Sequence, residues 1–226
     1  MEFLLDKSMA ELGVTDVVLG IARNLDPETE LPQTFEQKLE EKEQWALNVN
    51  LEDVELNPTI EGYQEMIAQV GRSVKKNSPT ALALIKNIKR RGSLPRINSI
   101  VDIYNVESLT SLLAIGAHDF DKVAFPLTVT LCGKEDTFYP ISSNAKHVAE
   151  TDFVYRDQKG IMAWLDVRDS EHYKLDETSK NALFVIQGNA QTSVDMRLAA
   201  LERIGADLKA AMPELEFERQ VFHVGA

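Results

Sequence analysis

Apolar positions recur at helical spacing through the first half of the chain and alternate in short runs through the second. Residues 15–22 (TDVVLGIA) are rich in β-branched side chains and predict a strand. Residues 25–57 carry many Glu and Lys, with Trp45 and Leu47 as apolar anchors, and read as a loop plus a surface helix. Ile60, Tyr63, Ile67 and Val70 share one helical face, which Gly71 can close. Ser78 and Pro79 open the next helix, the serine as cap and the proline at the first helical position. Its apolar face is Ala81, Leu82, Leu84, Ile85 and Ile88, and Gly92 is its stop. After the extended step forced by Leu94-Pro95, residues 97–113 predict another helix, with Ile97, Val101, Tyr104, Ser108 and Leu112 along one side.

Strands are then expected at 123–132 (Pro126 keeping its first half to an edge), 137–141, 152–155, 160–164 and 182–187. Thr192 or Ser193 caps a last helix that buries Val194, Leu198, Leu201, Ile204, Leu208 and Met212, and 215–224 reads as a closing strand. Helices first and strands after predict an α+β fold with a mixed or mainly antiparallel sheet, not regular βαβ winding. With no repeat and no linker, one domain over 1–226 is expected. Residues 1–57 would supply an N-terminal strand and an acidic surface segment, and 58–226 the core.

Composition refines this picture in two places. The 226-residue chain has a formal charge of −12, which taken alone argues against nucleic acid, and no DNA partner is expected. Yet residues 66–101 contain no carboxylate and eight cations: Arg72, Lys75, Lys76, Lys86, Lys89, Arg90, Arg91 and Arg96. Such a stretch is either a site for an RNA backbone or a solvated face neutralised by the acidic N-terminal segment. Lys86, Lys89, Arg90 and Arg91 also suit the last turns of a helix, where cations complement its dipole. The lone Cys132 excludes an internal disulfide and a cysteine zinc site. No run is apolar enough for a membrane span, and residues 1–12 lack the basic start of a signal peptide, so cytoplasmic residence and no membrane partner are expected. Phosphate loops, nucleophile elbows and metal-ligand spacings are missing, so neither a cofactor nor a metal is expected.

Three polar groupings remain as candidates. His118 sits beside Asp119 and Asp121, a setting that suits an acid or base near neutral pH or, equally, a half-exposed capped turn. Arg168, Asp169, Ser170, Glu171 and His172 follow a strand directly, where either sites or solvated turns are built. Asn98, Asp102 and Asn105 surround Tyr104 at helical spacing, and asparagine is a poor mid-helix residue unless it bonds a loop or a ligand. Trp45 and Trp164 read as core, and His147, His223 and Cys132 as bland.

The run LPRINSIVDIYNVESL (94–109) resembles the B3/B4 domain of the bacterial phenylalanyl-tRNA synthetase β subunit, the module that hydrolyses mischarged tyrosyl-tRNA. The likeness continues through IGAHDFDK (115–122), FVYRD (153–157) and TSKNAL (178–183), covering about residues 90–210. The upstream part, from NPTIEGYQEM through KKNSPTALALIKNIKRRGSLP, is similar to free-standing bacterial proteins built around one such domain. The resemblance implies a three-layer β-β-α sandwich. It places Asn105 on the pocket asparagine, Tyr104 where the synthetases carry threonine, and Gly116 where they carry histidine, with His118 two residues later. Asp169 and Ser170 fall on a glycine pair, and Val185 near the glutamate that contacts the tyrosine hydroxyl, which argues against tyrosine as the rejected amino acid.

By this resemblance the chain is expected to bind tRNA or aminoacyl-tRNA and to hydrolyse a mischarged ester in trans. Asn105, His118 and Asp119 are the candidate catalytic groups. Asn98, Tyr104, Gly116, Arg168 and Asp169 are the candidate substrate contacts, and Lys75, Lys76, Lys86, Lys89, Arg90, Arg91 and Arg96 the candidate RNA contacts. Two other readings stay open: a small-molecule binder or unrelated hydrolase reusing the cavity, and a catalytically silent interaction module.

Overall fold

The computed structural model describes residues 2–224. Its centre is a four-stranded sheet in the order β11 (Glu216–His223), β2 (Asp16–Arg23), β10 (Asn181–Ile186), β3 (Gly116–Asp119), antiparallel throughout. Both faces of the two central strands are covered, so β2 and β10 are apolar on both sides. Val18, Ala22, Ala182, Phe184 and Ile186 face a helical layer of α1 (Gln33–Asn48), α4 (Thr80–Arg91), α5 (Ser99–Ser111) and α6 (Val194–Ala211). Val17, Leu19, Ile21, Leu183 and Val185 face a second sheet.

That second sheet has the order β1 (Phe3–Leu5), β4 (Leu127–Leu131), β7 (Phe153–Arg156), β8 (Ile161–Trp164), β9 (Arg168–Asp169), with β1 and β4 parallel. A small hairpin of β5 (Thr137–Phe138) and β6 (Lys146–His147) lies apart from it in the ladder pattern. The arrangement is α+β, a β-β-α sandwich with mixed and antiparallel sheets. A Cβ on Gly20 would meet the rings and methyls of Phe217 and Leu201 at 2.9 and 3.1 Å, so glycine lets α6 lie close on the central sheet.

The other helices are α2 (Leu51–Glu55) and α3 (Pro58–Gln69), the latter burying Tyr63, Met66 and Ile67 against the inter-sheet core. Two expectations change here. Pro79, not Ser78, occupies the cap position of α4, and the Ser78 hydroxyl is buried without a partner. Trp45 is 36% exposed at the end of α1, whereas Trp164 is core. Among the described residues no helix is long and apolar enough to cross a membrane.

Candidate functional site

A cavity of about 230 Å³ opens where the helical layer meets the edge strand β3 and the β8–β9 hairpin. The α5 side chains of Val101, Tyr104 and Asn105 form one wall, and Ala114, Ile115 and Gly116 lead past it into β3. Tyr155 and Ala163 come from the second sheet. Asp166, Val167, Arg168 and Asp169 come from the hairpin, and Thr80 and Ile97 complete the lining.

The hairpin tip is held in an uncommon conformation. Leu165 and Asp166 have φ of 56° and 52°, left-handed values that cost on the order of 1–2 kcal/mol for a residue such as leucine. Their neighbours over-determine the turn. Val167 N–H donates to Trp164 O (3.2 Å), Leu165 N–H to Phe153 O (3.0 Å), and Thr80 Oγ1 to Asp166 O (2.7 Å). The turn carries Asp166 into the cavity lining.

Electrostatically the cavity is unusual. Burial pushes the Asp169 carboxyl up to about 7. Burial, and then the nearby Asp169 charge, push Asp166 up to about 8. Asp166 Oδ2 is buried with no hydrogen-bond partner among the described residues. Burial also raises the hydroxyls of Tyr104 and Tyr155, with the Asp169 charge the next cause in each.

His118 stands behind this wall. It lies opposite Leu183 in the ladder, on the face toward the second sheet, and is 0% exposed. Its Nε2 shares a 2.6 Å hydrogen bond with Tyr155 Oη, and burial lowers its pKa to about 3. Asp169 Oδ1 is 4.0 Å from Nε2, but with the imidazole held neutral this is no ion pair. Nδ1 has no partner, which favours the tautomer protonated on Nε2, because an orphaned N–H is the rarer defect. His118 then donates to Tyr155, whose own O–H stays free for the cavity. Gly116 makes the pairing possible: a Cβ there would run into Tyr155 Oη and stand 3.2 Å from His118 Nε2.

The family model of the B3/4 domain matches residues 62–205. The chain belongs to the B3/4 domain family. The domain is also similar to the crystal structure of an N-terminal fragment of the phenylalanyl-tRNA synthetase beta-subunit from Pyrococcus horikoshii. That match has a TM-score of 0.50 and 12% identity over 96% of this chain and 50% of that one. The chain thus spans about half the length of that fragment, and at this identity the likeness shows the fold alone. No curated protein matches it.

Within this B3/4 domain, Tyr104, Asn105, Gly116, Arg168 and Asp169 converge on one cavity, although they span 66 positions of sequence. The other candidates are placed differently. His118 is a buried positioning group, neither a titrating base nor a half-exposed turn residue. Asp119 points to the opposite face of β3. It accepts from Ser179 Oγ (2.8 Å) and Asp121 N–H (3.1 Å) and pairs with Lys122, so it is structural. Asn98 is the N-cap of α5, accepting from Val101 N–H at 2.9 Å, and lines a broad acidic depression beside the cavity instead. Ile97 borders both.

The cationic stretch is largely spoken for. Arg96 grips Glu36 with both terminal nitrogens and Asp102 with Nε. Lys86 pairs with Glu55, Lys89 donates to Leu47 O, and Arg90 donates to Asn87. Arg72 is a bidentate partner of the buried Asp152. Lys75, Lys76 and Arg91 are exposed. Sequence reasoning missed Tyr155 and Asp166. Tyr155 carried a signal, an ionisable group in the apolar strand FVYR, whereas Asp166 carried none beyond its place between two strands. Among the described residues no cluster of three or more metal-ligating side chains occurs.

Proposed function

We propose that this B3/4 domain binds the aminoacyl end of an aminoacyl-tRNA in the cavity and hydrolyses the ester in trans. The observation that carries this reading is a small, partly open cavity lined by both Asn105 and Asp169, a carboxyl that burial raises to about 7. A general base is most effective with a pKa near the working pH. At about 230 Å³ the space is below the roughly 300–1,000 Å³ of drug-sized ligand pockets, so it suits an aminoacyl group and not a whole nucleotide. Asp169 takes a proton from a water, whose oxygen bonds to the acyl carbon. The ester C–O bond breaks, and the ribose oxygen leaves with a proton. Asn105 and the free Tyr155 O–H are donors for the carbonyl oxygen as charge develops on it.

The test is release of amino acid from a panel of mischarged tRNAs, with Asn105→Ala and Asp169→Asn beside the unaltered protein. Hydrolysis of one species, lost in both variants, supports the reading, and no hydrolysis across the panel refutes it. A second reading, a binder of free small molecules, is favoured by the depression that adjoins the cavity. Its lining carries Glu28, Glu30 and Glu177 beside Glu36 and Asp176, which are paired with Arg96 and Lys122, an acidic balance that disfavours phosphates. Retention of a small molecule from cell extract, with no salt-dependent tRNA binding, would support that alternative.

A further inference from the structure

We infer that the cavity is an ammonium site: Asp166 holds the α-ammonium of the bound aminoacyl group, and that charge keeps Asp169 ionised to act on the acyl carbon. The inference rests on the aminoacyl reading above and names what the site requires of its substrate, a free amino group. Asp166 lines the cavity at a left-handed turn, and its Oδ2 is buried with no hydrogen-bond partner among the described residues. Among the described residues neither carboxylate has a lysine or arginine within salt-bridge reach, and the imidazole beside Asp169 is neutral.

The other titratable groups facing the pair are Tyr63 from α3, Tyr104 and Tyr155, whose hydroxyls burial keeps neutral, and Arg168, the one cation in the lining, which is exposed. A half-buried anion pair without a cation is unfavourable and is relieved by taking up protons. A ligand ammonium removes that need. Its single positive charge replaces the proton on Asp166, and the same charge favours the ionised form of Asp169, which is left as base. An acylated amine supplies no such charge and also brings a bulkier group to the same place.

The experiment is calorimetric titration near pH 7 with L-alaninamide, L-valinamide and L-phenylalaninamide, each beside its N-acetyl derivative, on the unaltered chain and on Asp166→Asn. At least one free amide is expected to bind at least tenfold more tightly than its acetylated form. Asp166→Asn should remove that difference. Equal binding of the two forms, or no binding by any amide, overturns the inference. Comparing aminoacyl-tRNA with N-acetyl-aminoacyl-tRNA separates it from the reading beneath it. Equally fast hydrolysis of both sinks the ammonium site and keeps the esterase. Amine-dependent amide binding with no hydrolysis of either does the reverse.

Discussion

Gly116→Ala tests the packing that shapes the cavity. The backbone at Gly116 is not left-handed, so alanine brings no conformational strain there. The methyl instead collides with Tyr155 Oη and stands 3.2 Å from Tyr155 Cζ and His118 Nε2. Tyr155 is 2% exposed and has no open space to retreat into except the cavity itself. Swinging it there breaks the 2.6 Å bond to His118, leaving an imidazole with neither nitrogen satisfied. An abandoned buried partner costs about 1–3 kcal/mol, and overpacking a further 1–3 kcal/mol. The reduced freedom of the unfolded chain returns about 0.4–1 kcal/mol. The net expectation is a loss of about 1–5 kcal/mol in urea unfolding followed by circular dichroism. Tyr155→Phe removes the colliding oxygen, so the double variant should be more stable than the two single losses summed. A single variant within about 0.5 kcal/mol of the parent, or a strictly additive double, would refute the argument.

Stability should fall as pH rises from 6.5 to 8, because the folded state still holds protons on Asp166 and Asp169 that the unfolded chain released near pH 3.8. His118, lowered to about 3 from 6.5, acts in the opposite sense but only below about pH 6.5. The slope can reach about 1.4 kcal/mol per pH unit for each proton held, and Asp166→Asn should flatten it in urea midpoints measured at the two pH values. Arg203→Met strands the fully buried Glu107, which now accepts from Arg203 at 2.7 and 3.0 Å between α5 and α6. A loss of about 3 kcal/mol, or on the order of 10 °C in Tm, is expected by calorimetry, largely recovered in Arg203→Met with Glu107→Leu.

The helices over 59–70, 80–91 and 99–111 and the strands at β2, β8 and β10 were legible because each carries its own period and stops. Strand β3 was not. Its four residues, Gly-Ala-His-Asp, look like a turn, and only pairing with β10, 60 residues away in sequence, makes them a strand. That one misreading moved His118 from a buried wall to a half-exposed loop and merged it with Asp119, which the pleat sends to the other face. In the site, Tyr104, Asn105, Gly116 and Asp169 were reached through the family likeness. Tyr155 and Asp166 enter by tertiary contacts across two sheets, to which local spacing is blind. The cationic run showed the same limit: its charges were plain, but their carboxylate partners on α1 and α2 lie 30–60 positions away.

Those partners decide where an RNA strand can touch the molecule. The two ends of α4 differ: Thr80, at its start, lines the cavity, and Lys89, Arg90 and Arg91 lie at its other end. Twelve helical residues separate the ends by roughly 18 Å. Lys86, Lys89 and Arg96 are already bonded to α1, α2 or their flanks. The exposed Lys75 and Lys76 instead sit in the turn just before α4, at the end of that helix where Thr80 lines the cavity. Each phosphate contact contributes about one unit to the slope of log affinity against log salt, about 0.7 for a single strand. If an acceptor end enters this cavity, Lys75→Ala with Lys76→Ala should lower that slope by about 1.4–1.8 in filter binding of tRNA. Lys89→Ala with Arg90→Ala and Arg91→Ala should change it by less than half as much. The opposite ranking would mean that the strand approaches across the C-terminal end of α4 and that the cavity is not its destination.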